Sequence, residues 1–185
     1  MGNGIVEALK KEFEIEDDWV SFEIHPDTPR EGKQLKDVFP AASVEQMYKR
    51  LNETGKAFGL SFGQMNLLSN SRMALMASEF ARDNGVFHDF HKRIFDAYFA
   101  RGEDIGNVDV LLQLAKQSGL VVDELQKALT DQRYLPRLEQ AQREGAQYGV
   151  TGTPTFIING RYKVVGAQPI EAFRNALIEI ASKGK

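Results

Sequence analysis

The spacing of hydrophobic positions changes character several times along the chain. Ile5, Val6, Leu9 and Phe13 recur at helical spacing in a run without Gly or Pro after residue 4, which predicts a helix over residues 4–14. Glu14, Glu16, Asp17 and Asp18 then make a solvated turn. From Trp19 the pattern alternates, with Trp19, Ser21, Glu23 and His25 on one side and Val20, Phe22 and Ile24 on the other. That period of two predicts a strand over residues 19–25, stopped by Pro26 and followed by a turn-rich loop to Gly32.

From Ser43 to Tyr148 the period is helical throughout. Ser43 and Gln46 have the spacing of a capping box, ahead of a stripe of Val44, Met47, Tyr48 and Leu51. A second helix carries Met73, Met76, Ala77 and Phe80 up to Asn84-Gly85, and a third carries Phe87, Phe90, His91, Ile94, Phe95 and Tyr98 up to Gly102. Asn107 can cap a fourth, with Val108, Leu111, Leu112 and Ala115 inside and Gly119 at its end. Val122, Leu125 and Leu129 mark a fifth, and Leu135, Leu138, Ala141 and Tyr148 a sixth that ends at Gly149. The last stretch reads as a strand over 155–158, an Asn159-Gly160 hairpin turn, a returning strand over 162–165, and a closing helix. Pro169 suits that helix's first turn, and its buried face is Ile170, Phe173, Leu177 and Ile180. The order is helix, strand, all-helical block, hairpin, helix.

Composition narrows the function. A chain of 185 residues, 42% hydrophobic and 26% charged, is long enough for one domain carrying an insertion. A net charge of -3 gives no basic footprint, so nucleic acid and anionic membrane surfaces are not expected partners. No run approaches the ~18 apolar residues of a membrane span, and the first residues show no basic-then-apolar signal pattern, so a cytoplasmic location is expected. The chain contains no cysteine, which removes a disulfide framework, a Cys-based zinc site, a thiol nucleophile and a dithiol couple from this polypeptide.

Three separated segments nevertheless resemble one family. They are Gly149-Val150-Thr151-Gly152-Thr153-Pro154-Thr155-Phe156 with Ile157-Ile158-Asn159-Gly160 and Gly166-Ala167-Gln168; Phe22 to Gly32 with its His25-Pro26-Asp27-Thr28-Pro29 core; and Ala97 to Ile105. Together they are similar to DsbA-like thioredoxin-fold proteins of the FrnE branch. The resemblance implies an α/β, thioredoxin-like (DsbA-type) fold, here N-terminally truncated. The thioredoxin-like domain would comprise residues 1–42 and 149–185, and an all-helical insertion residues 43–148. It also implies thiol-disulfide exchange on protein or small thiols.

In such proteins a Cys-x-x-Cys pair opens the first helix, whose positive end lowers a thiol pKa. Thr153-Pro154 matches the family's cis-proline loop, where the residue before proline can offer its backbone to an extended peptide. Gly152, Thr153, Pro154 and His25 are therefore the expected substrate-binding residues, and no residue here receives a catalytic, metal or cofactor role. Expected partners are an extended peptide or a thiol or disulfide substrate, with glutathione and a second copy of the chain as further partners.

The family pattern starts with a strand and the cysteine pair, followed two residues later by a hydrophobic residue and Gly. Met1-Gly2 fits that later position. The expectation is a start assigned at an internal methionine, with the strand and cysteines upstream. Losing a buried strand with roughly three apolar side chains costs on the order of 5–9 kcal/mol, against a net stability of about 5–15 kcal/mol for a typical domain. The gap is expected to close by direct pairing of the strands at 19–25 and 155–158, or by a dimer partner.

Two other functions stay open at this point. One is a redox-inactive module that keeps the peptide platform. The other is a glutathione-dependent isomerase or transferase of the 2-hydroxychromene-2-carboxylate isomerase type, which would place its nucleophile in the same absent position. His88 and His91, three apart on one helix, could hold a metal only if other ligands converged, and a boundary histidine is the plainer reading. Met47, Met65, Met73 and Met76 read as core filling.

Overall fold

The structure, a computed structural model, describes residues 1–183. It resolves into two compact units: Met1–Trp19 with the described chain from Ala146 onward, and Val20–Gly145. Residues 20–42, which the sequence groups with the thioredoxin-like part, cluster with the helices in the second unit.

In the first unit, helix α1 spans Gly2–Leu9 and buries Ile5 and Leu9. It is shorter than the predicted 4–14 helix, because past Leu9 it loosens into turns. The amides of Glu12 and Phe13 both reach Leu9 O, at 3.0 and 2.9 Å. Strands β3 (Thr155–Ile158) and β4 (Tyr162–Val165) form an antiparallel hairpin, and α9 spans Ile170–Lys183. Asn159 and Gly160 take φ of 50° and 64°, as the tight Asn-Gly hairpin turn requires. Phe156 meets the buried Phe173 edge to face at 4.8 Å. Arg174 of α9 reaches the Glu12 carboxylate at 2.7 and 2.6 Å and also pairs with Glu171.

The second unit is a helical bundle. Its elements are α2 (Leu35–Val38), α3 (Ala41–Gly55), α4 (Arg72–Asp83), α5 (Phe87–Phe95), α6 (Val108–Gln117), α7 (Val122–Thr130) and α8 (Leu135–Gln147), the last running on into the first unit. A π-helical turn, Asp96–Ala100, continues α5. Much of the core comes from the predicted apolar stripes: Ala77, Phe90, Leu111, Ala115 and Leu125 are fully shielded from solvent, as are Ala97 and Ala128, whereas Phe95 and Tyr148, also expected on stripes, are exposed. Asn107 caps α6 by accepting the Asp109 amide at 2.9 Å.

Three sequence expectations fail here. The Ser43–Gln46 capping box does not form. Helix α3 starts two residues earlier, after Pro40, whose carbonyl takes the amides of Ser43 and Val44. The block from 43 to 148 is not wholly helical, since β2 (Leu67–Leu68) pairs antiparallel with β1 (Lys33–Gln34).

Residues 19–25 form no strand, so direct pairing with 155–158 does not occur. The segment is extended, but its polar side is the buried one. Ser21 and Glu23 are 8% and 5% exposed, whereas Val20 is 58% and Ile24 38% exposed. The reason lies in α4 and α8. Ser21 Oγ donates to Glu79 Oε1 at 2.6 Å, Arg72 donates to Glu23 Oε2 at 3.1 and 3.2 Å, and Gln142 Nε2 donates to Glu23 O at 2.5 Å. Helix side chains, not a neighbouring strand, hold this segment.

Candidate functional site

Helix α8 ends at Gln147, and Gly149 just beyond it takes a φ of 60° that is easily reached only without a side chain. The terminal carbonyls of Tyr148 and Gly149 are satisfied by one cation, Lys163 Nζ, at 2.9 and 3.1 Å. A positive charge at a helix C-terminus also complements the helix dipole. Lys163 sits on β4, so the hairpin and the end of α8 hold the intervening loop at both ends.

Within that loop Thr155 Oγ1 donates to Gly152 O at 2.7 Å, and the Gly166 amide donates to Pro154 O at 2.8 Å. The Thr153-Pro154 peptide is cis. Thr153 is exposed, and a Cβ built on Gly152 would meet nothing within 4 Å. The loop thus leaves open space beside Gly152 and exposes Thr153, while the Gly152 and Pro154 carbonyls are tied to Thr155 and Gly166.

The start of α1 closes the other side of Pro154. A Cβ on Gly2 would lie 3.2 Å from Pro154 Cβ and 3.7 Å from Phe156 Cζ. Only a residue at or near glycine size lets the helix start come this close. The Met1 amino group is partly buried here, and that burial pushes its pKa below the usual value. Sequence reasoning missed Gly2 and Lys163 as site residues. Gly2 was marked only by the match of Met1-Gly2 to the family pattern, and Lys163 only by its place in the returning strand.

Of the four expected substrate-binding residues, Gly152, Thr153 and Pro154 form one continuous loop in the first unit. His25 belongs to the second unit, exposed at a bend before Pro26, where its carbonyl takes the Thr28 amide at 3.1 Å. His88 is exposed, and among the described residues no group of three or more His, Cys, Asp or Glu side chains converges as a metal site. The His91 ring stacks on Phe87 at 5.1 Å and meets Phe95 at 4.6 Å. Burial first, then the charges of His88 and Arg82, lower its pKa to about 4, so it stays neutral at physiological pH. Met65 and Met76 are buried. No helix among the described residues is long and apolar enough to cross a membrane.

A helix start packed on an X-Pro loop that leads into a hairpin, with a helical bundle between, is the arrangement of a DsbA-type thioredoxin fold. Residues 2–178 match the DSBA-like thioredoxin domain, and the chain belongs to that family. Its fold is similar to that of a probable DsbA oxidoreductase of Streptomyces coelicolor, with a TM-score of 0.87 at 23% identity over 96% of this chain and 82% of that one. The uncharacterized protein YwbO of Bacillus subtilis is 25% identical over 99% of this chain and 91% of its own length. The thiol:disulfide interchange protein DsbA of Pseudomonas aeruginosa strain PAO1 is 24% identical over 43% of this chain and 37% of its own.

Proposed function

We propose that the chain serves thiol-disulfide exchange on protein or small thiols, as in the FrnE branch, by holding the substrate and not by carrying the electrons. In exchange a thiolate attacks one sulfur of a disulfide and the other sulfur leaves as a thiolate; a second such attack completes the oxidation of two thiols to a disulfide while the original disulfide is reduced to two thiols. A chain with no cysteine has no such nucleophile, so this polypeptide by itself is inert. What it retains is a platform for an extended peptide. The observation that carries this reading is the Gly152-Thr153-Pro154 loop, open at Gly152, exposed at Thr153 and fixed from behind through Pro154 O. An extended peptide laid against such a backbone gains main-chain hydrogen bonds in the manner of an added strand.

Insulin reduction tests the proposal. With dithiothreitol as reductant, this chain should not accelerate precipitation of the insulin B chain. The same chain preceded by a strand and a Cys-x-x-Cys segment should accelerate it, and Thr153→Pro in that extended chain should lower the rate. Activity of the cysteine-free chain, or an extended chain that stays inert although folded, overturns the reading.

A further inference from the structure

The second unit carries a groove of its own. Two hollows, of about 460 and 350 Å3, meet at Arg30 and Val108, and their walls come wholly from residues 30–132. Together they have the size of a ligand site. We propose that this groove binds an extended peptide segment carrying a basic residue and, two positions along, an apolar one.

The turn that carries Arg30 is fixed from behind. The Gly32 amide donates to Pro29 O at 2.9 Å, so Arg30 and Glu31 are the central residues of the turn. Gly32 takes a φ of 76°, and a Cβ there would lie 2.8 Å from Leu68 O. Asn70 Nδ2 donates to Thr28 O at 2.6 Å, while Asn70 Oδ1 accepts the Arg72 amide at 3.0 Å, which ties the same loop to the start of α4. A ligand therefore meets a wall that is already ordered.

The two hollows differ in chemistry. The larger is lined by the carboxylates of Glu31, Asp104 and Asp109 against the one guanidinium of Arg30, an excess of two negative charges. None of the four forms an ion pair among the described residues. Such a wall attracts a cation. The smaller hollow has Met73, Val108 and the buried Leu129 for an apolar side chain, and the carboxamides of Gln126 and Gln132 for main-chain groups. A single small amine would use one hollow and leave the other empty. In an extended chain, residues i and i+2 point the same way, so one face of a peptide serves both.

Gln132 supports the same reading independently. Beyond α4 and α6, the left-handed position that closes the helix is held by Gly85 and Gly119, each with a φ of 74°. Beyond α7 it is held by Gln132, with a φ of 51°. The Gln132 amide donates to Leu129 O at 3.3 Å and the Arg133 amide to Ala128 O at 3.0 Å, the pattern in which glycine is the unstrained choice. The side chain that stands there instead lines the groove, and strained residues of this kind cluster at ligand sites.

Titration of the 15N-labelled chain with the peptide Ala-Lys-Ala-Leu-Ala, blocked at both ends, tests this. Saturable shifts at the amides of Glu31, Asp109 and Gln132 are expected, with an affinity that falls as salt is raised. The double variant Glu31→Gln, Asp109→Asn should bind about fivefold more weakly, and a peptide with Glu in place of Lys should not bind. Gln132→Gly should raise the thermal midpoint while weakening binding, a combination that a purely structural residue does not give. The absence of saturable binding, shifts confined to Gly152 and Thr153, or equal affinity for the Glu-containing peptide overturns the proposal. Equal affinity of n-butylamine at the same amides also overturns it, by making the groove a site for a small cation.

Discussion

The hydroxyl of Ser21 donates to Glu79 Oε1 at 2.6 Å across 58 residues of chain, and both side chains are buried. This bond, with Arg72 on Glu23, explains why an alternating segment lies with its polar side inward. Ser21→Ala leaves Glu79 Oε1 without that donor in a site where water cannot replace it. The expected loss is about 1–3 kcal/mol, read as a lower urea midpoint with an unchanged slope.

Gly145 of α8 meets the same segment through Phe22. A Cβ there would lie 2.4 Å from Phe22 Cε2 and 2.9 Å from Cδ2, closer than packed carbons approach. Gly145→Ala should destabilise the chain by about 1–3 kcal/mol through overpacking, although alanine favours a helix over glycine. Phe22→Leu should recover part of that loss only in the Gly145→Ala background. Equal effects of Phe22→Leu in both backgrounds would show that the two residues do not touch.

Phe173 is 2% exposed and carries the Phe156 ring against it. Phe173→Ala should cost about 3–5 kcal/mol, enough to expose the first unit to limited proteolysis. Phe173→Leu should cost much less.

The pKa of His91 is lowered in the folded chain, from 6.5 to about 4. Between those values the unfolded chain binds a proton that the folded chain does not. The contribution of this group is therefore fully present above pH 6.5 and is lost as pH falls toward 4. The loss is on the order of 3 kcal/mol across that window. Denaturation midpoints at pH 7 and pH 4.5 should differ less for His91→Phe, which keeps the ring between Phe87 and Phe95 and removes the titration. An unchanged pH dependence in that variant would place the effect elsewhere.

Legibility from sequence followed the range of the determining contacts. The Asn159-Gly160 hairpin was readable because the turn's backbone demand is met by two adjacent residues. The helices of the bundle were readable because each stripe, such as that of Leu111 and Ala115, is repeated within one helix. Residues 19–25 were misread because the partners of Ser21 and Glu23 lie on α4, 58 and 49 residues away. Alternation reports only that successive side chains point oppositely, and it does not say which set is buried or what holds it. The capping box failed for a local reason, since Pro40 already supplies a helix start two residues upstream of Ser43. At the site, the Thr153-Pro154 loop was legible through its motif, whereas the approach of Gly2 to Pro154 depends on packing that no spacing encodes.

The central claim is that this chain holds an extended substrate on the Gly152-Thr153-Pro154 loop. The most direct measurement is a titration of the 15N-labelled chain with reduced insulin B chain, followed amide by amide. Saturable shifts centred on Gly152 and Thr153, abolished by Thr153→Pro, are the predicted result. Saturable binding that leaves those two amides unmoved, or no binding at all, would contradict it.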